Sequence, residues 1–339
     1  MIDIKVSIAS HGKNLSFENF SSKNLDHKNN FHINSDIKKA DYWIVFEDLT
    51  NEVEYCEVPK ENVIYLNNET SYKKNHFFEI HMVEFLNQFN YSYGCYPTLK
   101  KNHVNTTPFL PWMIHSNHGD SIFQKNKLNY EFFSNLQITK KETELSVICS
   151  NKSHTENHKL RVEFLNILKK HFKDRLNWYG NGVNEIDNKF EVISTSKYHI
   201  VLENDSKYNL ISEKLYDSYL GLSFPIYYGA PNVENYFDKN SLETININDI
   251  TGSINTIENV IENNLYEKNL NLINLGKDKV LNDYNFFNRI CEIIDTKSNN
   301  PSSGEMIQKL NSSQYFWKKL TSPKRKIKRS LQRKLRIDC

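Results

Sequence analysis

No apolar run in this 339-residue sequence approaches the length of a bilayer-spanning helix, and Met1-Ile2-Asp3 opens no signal-peptide pattern. The two absences point away from a membrane-spanning chain and toward the cytoplasm. The five cysteines, Cys56, Cys95, Cys149, Cys291 and Cys339, are odd in number, widely spaced and without a CxxC pair. Neither a disulfide framework nor a cysteine metal site is expected, and they read as reduced thiols. HExxH is missing as well. His154 and His158 are spaced for one helix face, but Glu156 is misplaced for that motif and the pair straddles a loop-to-helix junction, so they read as surface histidines. There is no internal repeat and no base-reading module, so nucleic acid is not an expected partner.

The composition is that of a soluble protein, 38% hydrophobic and 25% charged, and the length allows two domains with separate cores. The 13% aromatic share decides nothing alone, because aromatic rings fill cores more often than they line sugar sites. The net charge of +2 conceals an asymmetry. Residues 318–339 hold ten basic side chains and one acid, leaving 33 basic against 40 acidic residues elsewhere. Ser322-Pro323 reads as a helix start, after which Ile327, Leu331 and Leu335 recur on one face. Such a basic amphipathic helix suits an anionic membrane surface, and a solvated or disordered tail is the alternative.

Along the chain, IKVSIAS, YWIVFED (42–48) and NVIYLN (62–67) read as short buried strands separated by polar, asparagine-rich segments. The second half alternates more clearly. Strands are expected at 144–150, 175–180, 198–204, the run FPIYYG and the run LETINI. Helices are expected at 157–172, from Ser212, near Asn232 and across 253–294. Alternation of this kind predicts parallel sheets with right-handed crossovers. The expected domains are 1–140 and 141–296, followed by 297–339 as linker, one helix over EMIQKLNSSQYFWKKL, and tail.

The stretch from Tyr198 to Asn248 is the most informative. An apolar strand ends in Glu203-Asn204, a polar loop leads to a helix opening at Ser212-Glu213-Lys214, and a second strand ends at a glycine turn, Gly229. That order gathers charged and amide groups at a strand's carboxyl end and a helix's amino end, where open α/β folds bind phosphorylated ligands. The stretch resembles the donor-binding signature of the α-1,3/4-fucosyltransferases, glycosyltransferase family 10, at Glu203, Asn204, Ser212, Glu213, Lys214, Pro225, Gly229 and Pro231. Leu210 stands where that family has tyrosine, with Tyr208 two residues earlier, and Ser212 replaces threonine.

The resemblance implies a GT-B architecture, two Rossmann-like domains facing a cleft, and an inverting transferase using GDP-fucose. It implies Arg161, in SNKSHTENHKLRVEFL, as a phosphate contact beside Lys214. Glu213 would bond donor hydroxyls, and Asn204, Tyr208 and Ser212 would complete the donor site. In VIYLNNETSY, Glu69 fits the register of the family's base, at the carboxyl end of a first-domain strand. Seen alone, each is explained as a surface or capping residue; a pairing of Arg161 with Glu156 or Glu163 is one such explanation. No DxD motif occurs, so no metal and no other cofactor is expected. The expected partners are the nucleotide sugar, a glycan acceptor of a bacterial surface polysaccharide or lipopolysaccharide, and an anionic membrane at its inner face. Another nucleotide sugar, or a non-catalytic glycan-binding protein of this fold, remain as alternatives.

Overall fold

The computed structural model describes residues 1–8, 29–67, 79–96, 98, 100–114, 128–138, 140–153, 155–297 and 306–321. They divide into two compact units.

In the first unit, β1 (Ile2–Ile8), β2 (Asn29–Ile33) and β3 (Tyr42–Phe46) precede β4 (Val53–Pro59) and β5 (Val63–Leu66). α1 (Ile80–Leu86) then leads to β6 (Tyr91–Gly94) and β7 (His103–Asn105). Six strands form a wholly parallel sheet in the order β2-β1-β3-β5-β6-β7, with β4 outside it. Every residue of β3 and of β5 is buried, the pattern expected of central parallel strands covered on both faces. On one face Trp43, Val45, Val63 and Tyr65 pack with Phe85 and Phe89, whose rings meet Tyr65 at centroid distances of 5.7 and 5.4 Å.

The second unit begins with α2 (Tyr130–Asn135) and β8 (Thr143–Ile148), then α3 (Glu156–Phe172) and β9 (Leu176–Tyr179). α4 (Lys189–Thr195), β10 (Ser196–Leu202), α5 (Glu213–Leu220), β11 (Phe224–Tyr228) and β12 (Glu243–Thr244) follow. α6 (Ile250–Glu262), α7 (Leu265–Lys268), α8 (Leu270–Asn282) and α9 (Phe286–Lys297) close it. Its sheet is parallel throughout, in the order β12-β11-β10-β8-β9. Both sheets are those of the expected α/β class. LETINI contributes only the two-residue β12, because Ile245 leaves the ladder with a single backbone bond to Tyr227.

The C-terminal segment corrects one expectation. Instead of one helix over EMIQKLNSSQYFWKKL, the chain forms β13 (Met306–Asn311) and then α10 (Ser313–Thr321), both in the first unit. β13 pairs antiparallel with β4 and inserts Leu310, 1% exposed, into the core that holds Trp43 and Phe85. Ser312 breaks the periodicity. Its N–H donates to the Glu52 carbonyl at 2.9 Å and its hydroxyl accepts from the Tyr315 N–H at 3.2 Å, starting α10 there. A helix-compatible run becomes a strand because β4 offers an unpaired edge above an apolar core. The tail after Thr321 lies outside the described residues, as does Glu69.

Candidate functional site

The site lies in the second unit, at the carboxyl ends of β8 and β10 and the amino end of α5. It is built around Glu203, the residue after β10, which is 1% exposed. A carboxylate so placed needs partners, and Ser212 supplies two. Its N–H donates to Glu203 Oε1 at 2.7 Å and its hydroxyl donates to Oε2 at 2.6 Å. This clasp folds the loop 204–211 back on itself and fixes where α5 begins. Ser212 is the N-cap of α5, and its Oγ accepts from the Lys214 N–H at 3.4 Å.

Lys214, in the first turn, is an unusual cation at the positive end of a helix. The structure supplies its counter-charges. Its ammonium lies 3.1 Å from Glu213 Oε1 and 3.7 Å from Glu203 Oε2, and donates to Ser212 Oγ at 3.1 Å. Burial would lower its pKa, and the two carboxylates reverse this and raise it. Burial pushes Glu213 up, but Lys214 and Lys189 outweigh it and hold the carboxyl down at about 2. Glu203 is raised by burial against the pull of Lys214. Lys214 remains 24% exposed along its side chain, so its charge is both anchored and presented.

Arg161 stands on α3, 7% exposed, and its Nη1 donates to the Leu202 carbonyl at 3.3 Å. Its Nε is buried without a hydrogen-bond partner among the described residues. Neither Glu156 nor Glu163 claims the guanidinium: Glu156 instead pairs with Lys159 at 3.1 Å. Arg161 thus lies against the last carbonyl of β10, and the Lys214 ammonium lies 3.7 Å from the carboxylate of the next residue, Glu203. Two cations from separate helices therefore approach the carboxyl end of β10.

Asn204 is half-buried, and its carbonyl accepts from Asn157 Nδ2 at 3.2 Å, which ties the loop to the first turn of α3. Tyr208 is 66% exposed at the tip of the loop, whereas Leu210 is 4% exposed and packs inward. The leucine therefore lies in the core, and Tyr208 is the ring the loop displays. Asn209 between them takes a left-handed conformation, φ 64°, held by reciprocal bonds with Asn232 of 2.9 and 2.7 Å. Gly229 is forced by close approach: a β-carbon there would stand 2.5 Å from Glu203 Cγ and 2.1 Å from the Tyr227 hydroxyl.

Sequence reasoning missed the layer beneath. Lys189, at the start of α4, pairs with Asp217 of α5 at 2.7 Å, both side chains almost fully buried. Asp217 also accepts from the Met113 N–H at 2.8 Å, and burial raises its carboxyl to about 6 against the pull of Lys189. His199 of β10 meets Ser146 Oγ through Nδ1 at 2.9 Å, and burial with Lys189 nearby pushes its imidazole down to about 3, so it is neutral. These groups border a cavity of about 30 Å³ behind Glu213 and Lys214, room for one or two waters. The available signal was the spacing of Glu213 and Asp217, two carboxylates one turn apart on a helix, which calls for a shared cation.

With Glu69 outside the described residues, the structure gathers Arg161, Asn204, Ser212, Glu213 and Lys214 around the ends of β8 and β10, with Tyr208 at the loop's exposed tip. The arrangement can hold an anion between two cations while acidic and amide groups offer acceptors to hydroxyls.

Comparison with known proteins points to the same segment. Residues 138–266 match the model of the C-terminal region of glycosyltransferase family 10 (fucosyltransferase). An alpha-(1,3)-fucosyltransferase, FucT, of Helicobacter pylori is 29% identical over 133 residues, 34% of this chain. The match spans 27% of that relative's length. Among solved structures, an alpha1,3-fucosyltransferase with GDP-fucose superposes with a TM-score of 0.49 at 16% identity, covering 88% of this chain and 91% of that one. The UDP-GlcNAc 2-epimerase of Methanocaldococcus jannaschii gives 0.40 at 10% identity, covering 87% and 100%.

Proposed function

We propose that this chain, whose residues 138–266 carry the glycosyltransferase family 10 C-terminal region, is an inverting fucosyltransferase that moves fucose from GDP-fucose to a glycan hydroxyl. The observation that carries the reading is the approach of Arg161 and Lys214, from separate helices, to the carboxyl end of β10 beside the buried Glu203–Ser212 clasp.

Loss of GDP is the step that needs stabilising, because negative charge grows on the departing diphosphate. Preformed cations lower that barrier without reorganising. Arg161 and Lys214 fill this role, with the unpartnered Arg161 Nε and the exposed part of the Lys214 ammonium as donors. Glu213, held ionised, accepts from ribose or sugar hydroxyls. Asn204 and Ser212 shape the loop, and Tyr208 offers a ring face at its tip. Attack by the acceptor oxygen on the anomeric carbon, from the side opposite GDP, inverts the centre in one displacement. Glu69 takes the acceptor's proton.

With two side-chain cations assigned to the diphosphate, transfer proceeds without a metal. The acceptor is a glycan of a bacterial surface polysaccharide or lipopolysaccharide precursor, met at the inner membrane face through the basic tail. Among the described residues no helix is long and apolar enough to cross a membrane.

The test is mass spectrometry of a glycan panel incubated with GDP-fucose, with GDP-mannose and UDP-sugars as competitors. A mass gain of one deoxyhexose, undiminished by EDTA, is expected. Products from UDP-sugars alone, or none from any donor, overturn the reading. Glu69→Gln should abolish turnover while leaving GDP affinity intact.

A further inference from the structure

Behind Glu213 and Lys214 lies a buried ion pair that the displacement described above does not use. Lys189 opens α4 after its N-cap Asn188, and its ammonium donates to Asp217 Oδ2 at 2.7 Å, both side chains being almost wholly enclosed. The Met113 N–H takes Asp217 Oδ1 at 2.8 Å, so both carboxylate oxygens are occupied and the ammonium has a fixed seat. Asp217 stands one helical turn after Glu213 on α5. Lys189, Glu213, Lys214 and Asp217 border the same cavity.

Such a pair is not what the fold requires. The cost of taking two charges out of water offsets most of their attraction, and apolar side chains of similar volume serve such a position as well or better. Lys189 also stands at the amino end of a helix, where the dipole disfavours a cation. What apolar side chains could not supply is a positive charge behind Glu213. That carboxylate is buried and must stay ionised to accept from hydroxyls. Burial works against its charge, and Lys214 and then Lys189 support it in the free protein. Lys214, 3.1 Å from Glu213 Oε1, is the partly exposed cation that a diphosphate draws to itself, and Arg161 of α3 is assigned to the same anion. With the diphosphate in place, Glu213 has negative neighbours in the ligand and in Glu203, Asp217 one turn below, and the neutral His199 at the cavity wall. Lys189 is then the cation left to it, because an enclosed ammonium cannot turn toward the ligand.

We propose that the Lys189–Asp217 pair is a positioning element of the donor site, holding Glu213 as a carboxylate aimed at donor hydroxyls while Lys214 is engaged by the diphosphate. This role rests on the donor-site reading above.

The test is calorimetric titration of the full chain at pH 5 and pH 8 with GDP-fucose, whose diphosphate, esterified at both ends, keeps its charge throughout. Wild type should bind equally at both. The double variant Lys189→Met, Asp217→Asn removes both charges, and its asparagine oxygen still accepts from the Met113 N–H. It should bind like the wild type at pH 8 and at least about threefold more weakly at pH 5, because the Glu213 carboxyl then takes up a proton within this interval. Lys189→Gln, which keeps a donor to Asp217, should show the same selective loss. In a Glu213→Gln background the double substitution should add nothing at either pH. Equal losses at both pH values, no loss at either, additive loss with Glu213→Gln, or thermal melts showing both Lys189 variants unfolded at pH 8 each overturn the proposal. Wild-type binding separates the two readings. Its absence rejects the donor site and this role with it, whereas normal wild-type binding beside any of those outcomes rejects the role of the pair alone.

Discussion

The buried carboxylate at the end of β10 controls the donor-side geometry, and its replacement should reveal this. Glu203→Gln keeps the shape but turns two charge-assisted acceptors into one neutral oxygen and one amide NH2, itself a donor, facing the Ser212 donors. A loss of about 1.5–3 kcal/mol in urea unfolding is expected, with weaker GDP binding because Lys214 loses an anchor. Gly229→Ala should cost about 1–3 kcal/mol in the same assay, since the added methyl falls within 2.5 Å of Glu203 Cγ. A neutral outcome for Gly229→Ala would mean that the turn relaxes freely and that glycine there is not imposed by packing. His199 gives the pH dependence. Its folded value of about 3 lies below the ordinary 6.5, so between those limits the unfolded chain binds a proton that the folded chain refuses. Stability contributed by this residue is present above pH 6.5 and is lost as pH falls toward 3. Asp217, raised to about 6 from 3.8, works in the opposite direction, losing stability as pH rises through that interval. On lowering the pH from 6.5 to 4 the wild type should therefore lose more melting temperature, or gain less, than His199→Asn, in which the opposing effect of Asp217 acts alone; an equal signed change in both would place the acid sensitivity elsewhere.

At the scale of elements, α5 and β13 illustrate two ways a segment acquires its structure. α5 is locally encoded: Ser212 caps it, and seven of its eight residues are buried, leaving Lys214 as the exception. Ser212→Ala should cost about 1 kcal/mol as a cap and more through the lost bond to Glu203, whereas Ser212→Thr should retain both. β13 is encoded by its surroundings. Leu310→Ala, measured by denaturant unfolding, should destabilise the first unit by about 2–5 kcal/mol, the cost of emptying a core position, because Leu310 is shared with Trp43, Val63 and Phe85. A value near that of an exposed site would show that the strand merely rests on the unit. The same contrast explains what sequence patterns could reach. Strands such as Tyr42–Phe46 and Phe224–Tyr228 announce themselves as short apolar, β-branched and aromatic runs. β4, alternating buried and exposed, and β13, with lysine and glutamine inside it, gain their identity from one another.

For the whole molecule, each unit has its own parallel sheet, and the chain contributes its C-terminal strand and helix to the unit in which it began. A truncation ending at residue 297 should therefore unfold or aggregate the first unit while GDP binding by the second survives, as read by calorimetry on the truncated protein. Survival of both units would show that β13 and α10 are dispensable. The sequence by itself determined the α/β class, the alternation in the second half, and the order Glu203, Ser212, Glu213, Lys214, because strand periodicity, helix caps and a strand–loop–helix junction are local features. Only the tertiary structure decided that Lys214 is neutralised from within, that Leu210 turns inward while Tyr208 faces solvent, and that Lys189, Asp217 and His199 underlie the site. Those outcomes depend on which distant groups share a low-dielectric interior. Burial sets the cost of each charge, and the partner that offsets it comes from another element of the chain.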